Sequence, residues 1–290
     1  MGYSYSEYAK QSNITNPGEH KDNYSGLPGD IAGLTRIVQG LIIHYRSGDF
    51  LNYKIPESRI ADIDTRYVES MLEKIVTLNP SPLLNNRQLE HRLVGCCRDF
   101  STLLCSLARS VGIPSRIRVG FANYFIPGFN VDHVIVEYWD SGWKLVDPEI
   151  SDKHIDFYNI EFNPLDVPRN KFLVAGKAWQ MCKDGADSNN FGVDPEMDIR
   201  GDWFVRHKLI QDLAAVNKKE ILLWDCWGMM LKDEISAEEE ELLNRVAELT
   251  QTGSIEELNS VFLENDNLRL PRVVKSFSPV AGAGDVKLKT

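Results

Sequence analysis

A helical stripe that stops on a proline and runs into three strand-like segments places the tightest constraint on how this chain folds. Phe100, Leu103, Leu104, Leu107, Ala108 and Val111 recur at i, i+3, i+4 and i+7, and Gly112-Ile113-Pro114 ends the run. Strand-like segments follow at 116–121, 133–139 and 143–147. Asp140-Ser141-Gly142 joins the last two as a turn. One apolar helix face next to an antiparallel hairpin is an α+β arrangement, because each needs the other to cover its apolar side.

The rest of the chain reads as additions to that unit. Residues 1–28 form a polar surface arm, and helical stripes cover 31–45 and 65–77. Residues 150–200 read as irregular. Helices return at 203–217 and 237–250, with shorter ones at 219–230 and 255–264. Capping boxes start two of them, Ser236 with Glu239 and Ser254 with Glu257. Residues 276–290 read as a flexible tail. The expected division is an arm and helical extension over 1–84, a core over 85–165, a helical extension over 166–275, and the tail.

Composition excludes several classes of function. With 290 residues, 43% of them hydrophobic, the chain is long enough to bury a substantial core. A net charge of −10 argues against nucleic acid and anionic membranes as partners. The N-terminus lacks the profile of a secretory signal, and no apolar run approaches the roughly 18 residues of a membrane span. Five cysteines without framework spacing fit a reducing cytoplasm, where the sequons at Asn13 and Asn23 stay bare. The chain has no C-x-x-C, no H-E-x-x-H, no Gly-rich phosphate loop in a strand–helix context and no EF-hand run. No metal, nucleotide or other cofactor is expected.

The candidate chemistry sits at the helix start. Cys97 lies three residues before the stripe, in the first turn, where unpaired N–H groups and the helix dipole favour a thiolate. Gly95 allows a tight approach, and the Cys97 N–H is free to donate to an oxyanion. A hairpin centred on residue 140 sets Asp147 across from His133, Cβ atoms about 4.5–5.5 Å apart. An aspartate there holds one imidazole nitrogen and leaves the other for the thiol. Taken singly, each residue is more often structural: a buried thiol, a strand-start histidine, a turn aspartate before Pro148. Taken together they make a nucleophile, a base and an orienting acid. Cys96 and Cys105 read as structural, Gln88 and His91 as alternative oxyanion donors, and the other histidines as scattered.

These motifs together resemble the transglutaminase-like superfamily. Gly95-Cys96-Cys97 matches its G-x-C, 109–116 its R-x-x-G-I-P-x-R, and Val119-Gly120-Phe121 its V-x-G-[YF]. His133 opens the next strand, and Trp143 to Pro148 matches W-x-x-x-D-P. The resemblance implies a papain/transglutaminase-like core in which the helix carrying the nucleophile packs on an antiparallel sheet. It also implies Cys97 as nucleophile, His133 as base and Asp147 as orienting acid. Two positions depart from the pattern: Ile135 stands where an aromatic is common, and Glu149 where Thr or Ser is common. The activity expected is acyl transfer through a Cys97 thioester, as an amide or peptide hydrolase or a transglutaminase-type acyltransferase. Its substrate would be a peptide, a protein or a small amide or ester. The competing expectation is a non-catalytic peptide- or protein-binding module.

Overall fold

Asp30 caps the first long helix, α1 (Ile31–Leu41), its carboxylate accepting from the Gly33 N–H at 2.8 Å. A computed structural model describes residues 5–46 and 50–289 of the chain. The apolar stripe of α1 does not continue as helix to residue 45. β-Branched Ile42 and Ile43 instead form β1 (Ile42–His44), paired in parallel with β2 (Leu93–Gly95). Between these strands lie a short helix, α2 (Glu57–Ile60), and α3 (Val68–Leu78), which buries Val68, Met71, Leu72 and Ile75.

The core is α+β. Helix α4 (Cys97–Ser110) leads into β3 (Ser115–Ile126), β4 (Phe129–Trp139) and β5 (Trp143–Val146). Leu103, Leu104 and Leu107 of α4 share one buried cluster with Ile117, Val119, Val134 and Val136 of the sheet. The helix carrying Cys97 therefore packs on an antiparallel sheet. Strand order is β5–β4–β3–β6, with β6 (Phe172–Val174) antiparallel to β3 and β7 (Phe191–Gly192) parallel to β4.

Hairpin register differs from the sequence expectation. Trp139 pairs with Trp143 and Val136 with Val146, so the turn centres on Ser141, which adopts a left-handed φ of 56°. Continued past Val146, this register sets Glu149 rather than Asp147 across from His133. The shift arises in the turn, whose centre lies one residue later than expected, on Ser141 rather than on residue 140.

Further elements replace segments expected to be irregular. Residues 150–200 contain α5 (Asp152–Tyr158) and α6 (Ala175–Lys183). Helices α7 (Asp202–Val216), α8 (Ala237–Thr252) and α9 (Ile255–Glu264) follow, the last two started by the capping boxes of Ser236 and Ser254. Instead of a helix at 219–230, the chain forms β8 (Asp225–Cys226) and a 3-10 turn. The expected tail is not free chain. β9 (Val273–Ser278) pairs with β8 and, through Gly282, with β10 (Gly282–Lys287). The N-terminal arm is likewise held down: Tyr8, Ile14 and Thr15 are buried, and the Tyr8 hydroxyl donates to the Val216 carbonyl at 2.7 Å.

Buried ion pairs tie these additions to the sheet. Asp212 of α7 takes both nitrogens of Arg118 at 2.7 and 3.0 Å and the Val119 N–H at 2.8 Å. Glu137 of β4 accepts from Arg116, Arg118 and Arg169.

Candidate active site

Cys97 is the first residue of α4, so its N–H has no carbonyl a turn earlier to take it. Gly95 is required just before it: a Cβ there would lie 2.9 Å from Asp99 Cβ and Oδ2. Asp99 uses that space to accept the Cys96 N–H at 2.8 Å. Its other oxygen accepts from Arg98 Nη1 at 2.9 Å. Arg98, 1% exposed, also donates to the carbonyls of Thr65, Arg66 and Glu220. One guanidinium thus fixes the start of the helix to chain from both extensions.

The expectation of a depressed Cys97 thiol does not hold. A hydrogen bond shared with Cys96, burial, and the nearby Glu149 and Asp132 carboxyls hold it well above the ordinary range. The physical reason is local, because the Asp99 carboxylate already occupies the positive end of α4. At rest Cys97 is a neutral thiol. Cys105, fully buried one face along, is pushed up to about 11 by desolvation and has no role in this chemistry.

His133 is 3% exposed and Asp147 fully buried, and Nε2 of the imidazole lies 2.8 Å from Asp147 Oδ2. That bond commits Nε2 and leaves Nδ1 as the nitrogen able to take a proton from a thiol. Gly120 pairs with His133, and a Cβ on it would strike the Leu173 carbonyl at 2.2 Å; glycine lets β6 close over this part of the site. Burial pulls the imidazole down, but the Asp147 charge and hydrogen bond, with Glu149 and Asp132, outweigh it and hold His133 above its ordinary value. Burial pushes Asp147 up, yet the charge and bond of His133, the Tyr124 hydroxyl and the Glu149 N–H bring it below the usual carboxylate range. The structure therefore joins His133 to Asp147 directly and sets both with Cys97 in the field of the same neighbours, Glu149 and Tyr124.

Several groups around this centre were not singled out in the sequence. The Tyr124 hydroxyl donates to Asp147 Oδ2 at 2.6 Å. β3 runs on to Ile126, and Tyr124 lies where its pairing with β4 becomes irregular between Ala122 and Ile126, which the sequence does not signal. Tyr124, Phe125 and Phe172 stand edge-on to the His133 ring, with centroids 5.0–6.4 Å away. Tyr158 of α5 packs on Phe125, and Phe50 on His154. His44 of β1 and His154 of α5 are not scattered. Burial lowers both: His44 to about 3, with His133 and Arg46 adding to it, and His154 to about 4 against the opposing pull of Asp147. No sequence signal links β1 or α5 to this place.

Gln88 is exposed and His91 half-buried at the 3-10 turn preceding β2, and neither is hydrogen-bonded toward Cys97 in the contacts described for them. A cavity of about 750 Å³ lined by Tyr24, Arg109, Ser110 and Val111 opens at the far end of α4, away from Cys97. Among the described residues, no group of three His, Cys, Asp or Glu side chains is arranged to hold a metal ion, and no helix is long and apolar enough to cross a membrane.

Residues 70–148 match the Transglutaminase-like superfamily. No curated protein matches the chain. Among solved structures, that of a candidate cysteine protease from Cytophaga hutchinsonii aligns at a TM-score of 0.35 and 16% identity. That alignment covers 58% of this chain and 44% of the other, so it spans less than half of that protein's length. The stretch matched by the family runs from α3 through the hairpin and contains Cys97, His133 and Asp147. By that match, residues 70–148 of this chain are similar to the transglutaminase-like superfamily.

Proposed function

We propose that this chain is a cysteine-dependent acyl-transfer enzyme working through a thioester on Cys97. The observation that carries the reading is the buried 2.8 Å bond between His133 Nε2 and Asp147 Oδ2, with Cys97 at the head of α4 nearby. Sequestering an imidazole–carboxylate pair from water costs stability, and such pairs are concentrated where they perform a task.

In this reading His133 Nδ1 takes the thiol proton as Cys97 Sγ attacks an amide or ester carbonyl. The Sγ–C bond forms and the carbonyl π pair moves onto oxygen. Collapse of the tetrahedral adduct expels the amine or alcohol, which takes its proton from His133. Water then attacks the thioester, with His133 again as base. Asp147 holds the imidazole tautomer throughout and stabilises its charged form. Water is the acceptor we name first, because it needs no docking site of its own; an amine would give transfer instead. The substrate class is a peptide, protein or small-molecule amide or ester. All five cysteines are free thiols, which suits a reducing compartment such as the cytoplasm.

The test is intact-protein mass spectrometry after incubation with activated esters and peptide amides. An acyl adduct that maps to Cys97 and is lost in Cys97→Ser supports the reading. Acylation that persists in Cys97→Ser, or none with any donor, leaves the binding-module alternative standing.

A further inference from the structure

Three carboxyl groups surround the thiol and imidazole, and they are not alike. Asp147 has both oxygens engaged, Oδ2 by His133 and Tyr124 and Oδ1 by the Glu149 N–H at 3.1 Å. Asp132 is paired through Oδ2 with the buried Lys208 of α7 at 3.0 Å, its Oδ1 buried without a partner. Glu149 is 7% exposed, and its Oε2 is buried with no hydrogen-bond partner. A buried polar atom without a partner costs about 1–3 kcal/mol, so such an atom beside a reactive thiol asks for a reason.

The position of Glu149 is fixed from its backbone. Its N–H is held by Asp147, and the next carbonyl, that of Ile150, accepts from Gln39 Nε2 at 2.8 Å. The β4–β5 ladder ends at Val136 and Val146 and the Asp147 N–H goes to the Pro164 carbonyl, so Glu149 lies in the chain that leaves the strand. Glu149 and Asp132 are also the carboxyls that bear most on Cys97. Glu149 thus acts on both the thiol and the imidazole, whereas Asp147 is bonded to the imidazole itself. Burial, with Asp147 adding to it, pushes Glu149 up to about 8 against the pull of His133. At neutral pH it is a carboxylic acid, and its Oε2 has no partner.

We propose that Glu149 is the side-chain donor of the oxyanion site: its carboxyl O–H binds the carbonyl oxygen of the acyl group that Cys97 attacks, alongside the Cys97 N–H. The proposal rests on the acyl-transfer reading and adds a residue to it. During attack the thiol proton goes to His133 and the π pair to the carbonyl oxygen, while Glu149 keeps its own proton and shares it with that oxygen. An ionised Glu149 would repel the same oxygen, so acylation falls as this group loses its proton. The titratable groups that interact with it are Cys97 on α4, Tyr124 on β3, His133 on β4, Asp147 after β5 and Tyr158 on α5. Both tyrosines are raised by burial, so they ionise above their usual range and not near pH 8.

The experiment compares two reactions of the same sulfur in the full chain. Acylation by 4-nitrophenyl acetate passes through an oxyanion; alkylation by iodoacetamide displaces iodide and forms none. Glu149→Ala is expected to slow acylation by about 100-fold or more while alkylation of Cys97 holds or quickens. Glu149→Gln retains an N–H donor, so it should slow acylation at pH 7 less than about tenfold and lose the fall in rate above about pH 8. Equal slowing of both reactions in Glu149→Ala, or an unchanged alkaline fall in Glu149→Gln, overturns the assignment. A wild-type chain that alkylates at Cys97 but never acylates overturns the acyl-transfer reading, and this inference with it. Should Glu149→Ala fail to fold, the pH profile of Glu149→Gln decides alone.

Discussion

Two buried glutamates on the β4–β5 hairpin and its continuation have opposite surroundings. Glu137, 1% exposed, is gripped by Arg116, Arg118 and Arg169, and these cations overcome its burial to hold it well below the carboxylate range. Glu149, 7% exposed, has no cation against it and is pushed up to about 8. The difference teaches where the fold compensates charge. At the Arg-rich end every charge has a partner and the network joins β3, β4 and α7. At the thiol end one acid is left uncompensated among reactive groups, a cost that makes sense where a ligand completes the set.

The largest effect should come from breaking the compensated end. Glu137→Ala leaves three guanidinium groups around an empty place, two of them buried, and should cost about 3–5 kcal/mol in urea unfolding. A loss below about 1 kcal/mol would mean that the arginines find other partners and that the contrast is superficial.

A second test uses proton linkage, since the two acids should give opposite slopes. The folded Glu149 holds its proton up to about 8 while an unfolded glutamate releases it near ~4.3, so its contribution to stability falls as pH rises through that window. The advantage of Glu149→Gln over wild type should therefore grow between pH 5 and pH 8 (roughly the span between the two values). Glu137 works the other way: its stabilisation is full above the unfolded value and is lost as pH falls toward its lower folded one. Thermal melts across pH read both, and parallel slopes for the two variants would erase the distinction.

The smallest expected effect sharpens the uncompensated end. Tyr124→Phe removes the 2.6 Å bond to Asp147 Oδ2 and should cost about 1.5–3 kcal/mol in stability. Asp147 loses a donor, so its ionised form is held less well and the acid limb of the acylation profile should move to higher pH. A profile that does not move would show that His133 alone holds the carboxylate.

How much of this was legible in the sequence varies with the kind of interaction. Helix α4 and the strands after it were readable because apolar period and stop signals are local, and the same motifs pointed to Cys97, His133 and Asp147 as candidates. The register was misjudged by two residues because it depends on how the turn seats Ser141, which composition does not report. Glu149 was visible only as a departure from a pattern; its isolation arises from Tyr124, Tyr158 and the sheet meeting around it. The state of Cys97 was read with the wrong sign, since Asp99 takes the helix dipole and Cys96 shares the thiol proton. Parallel pairing of β1 with β2 joins residues some fifty positions apart and leaves no periodic trace.

The grip of Arg98 bears on how the molecule is made. Its acceptors are carbonyls at Thr65 and Arg66, synthesised before Cys97, and at Glu220, synthesised more than a hundred residues after it. Chains emerge and fold from the N-terminus. The head of α4 therefore lacks part of its anchorage until residue 220 has left the ribosome, and the Cys97 thiol, coded in the first half of the chain, is among the last parts of the core to be set.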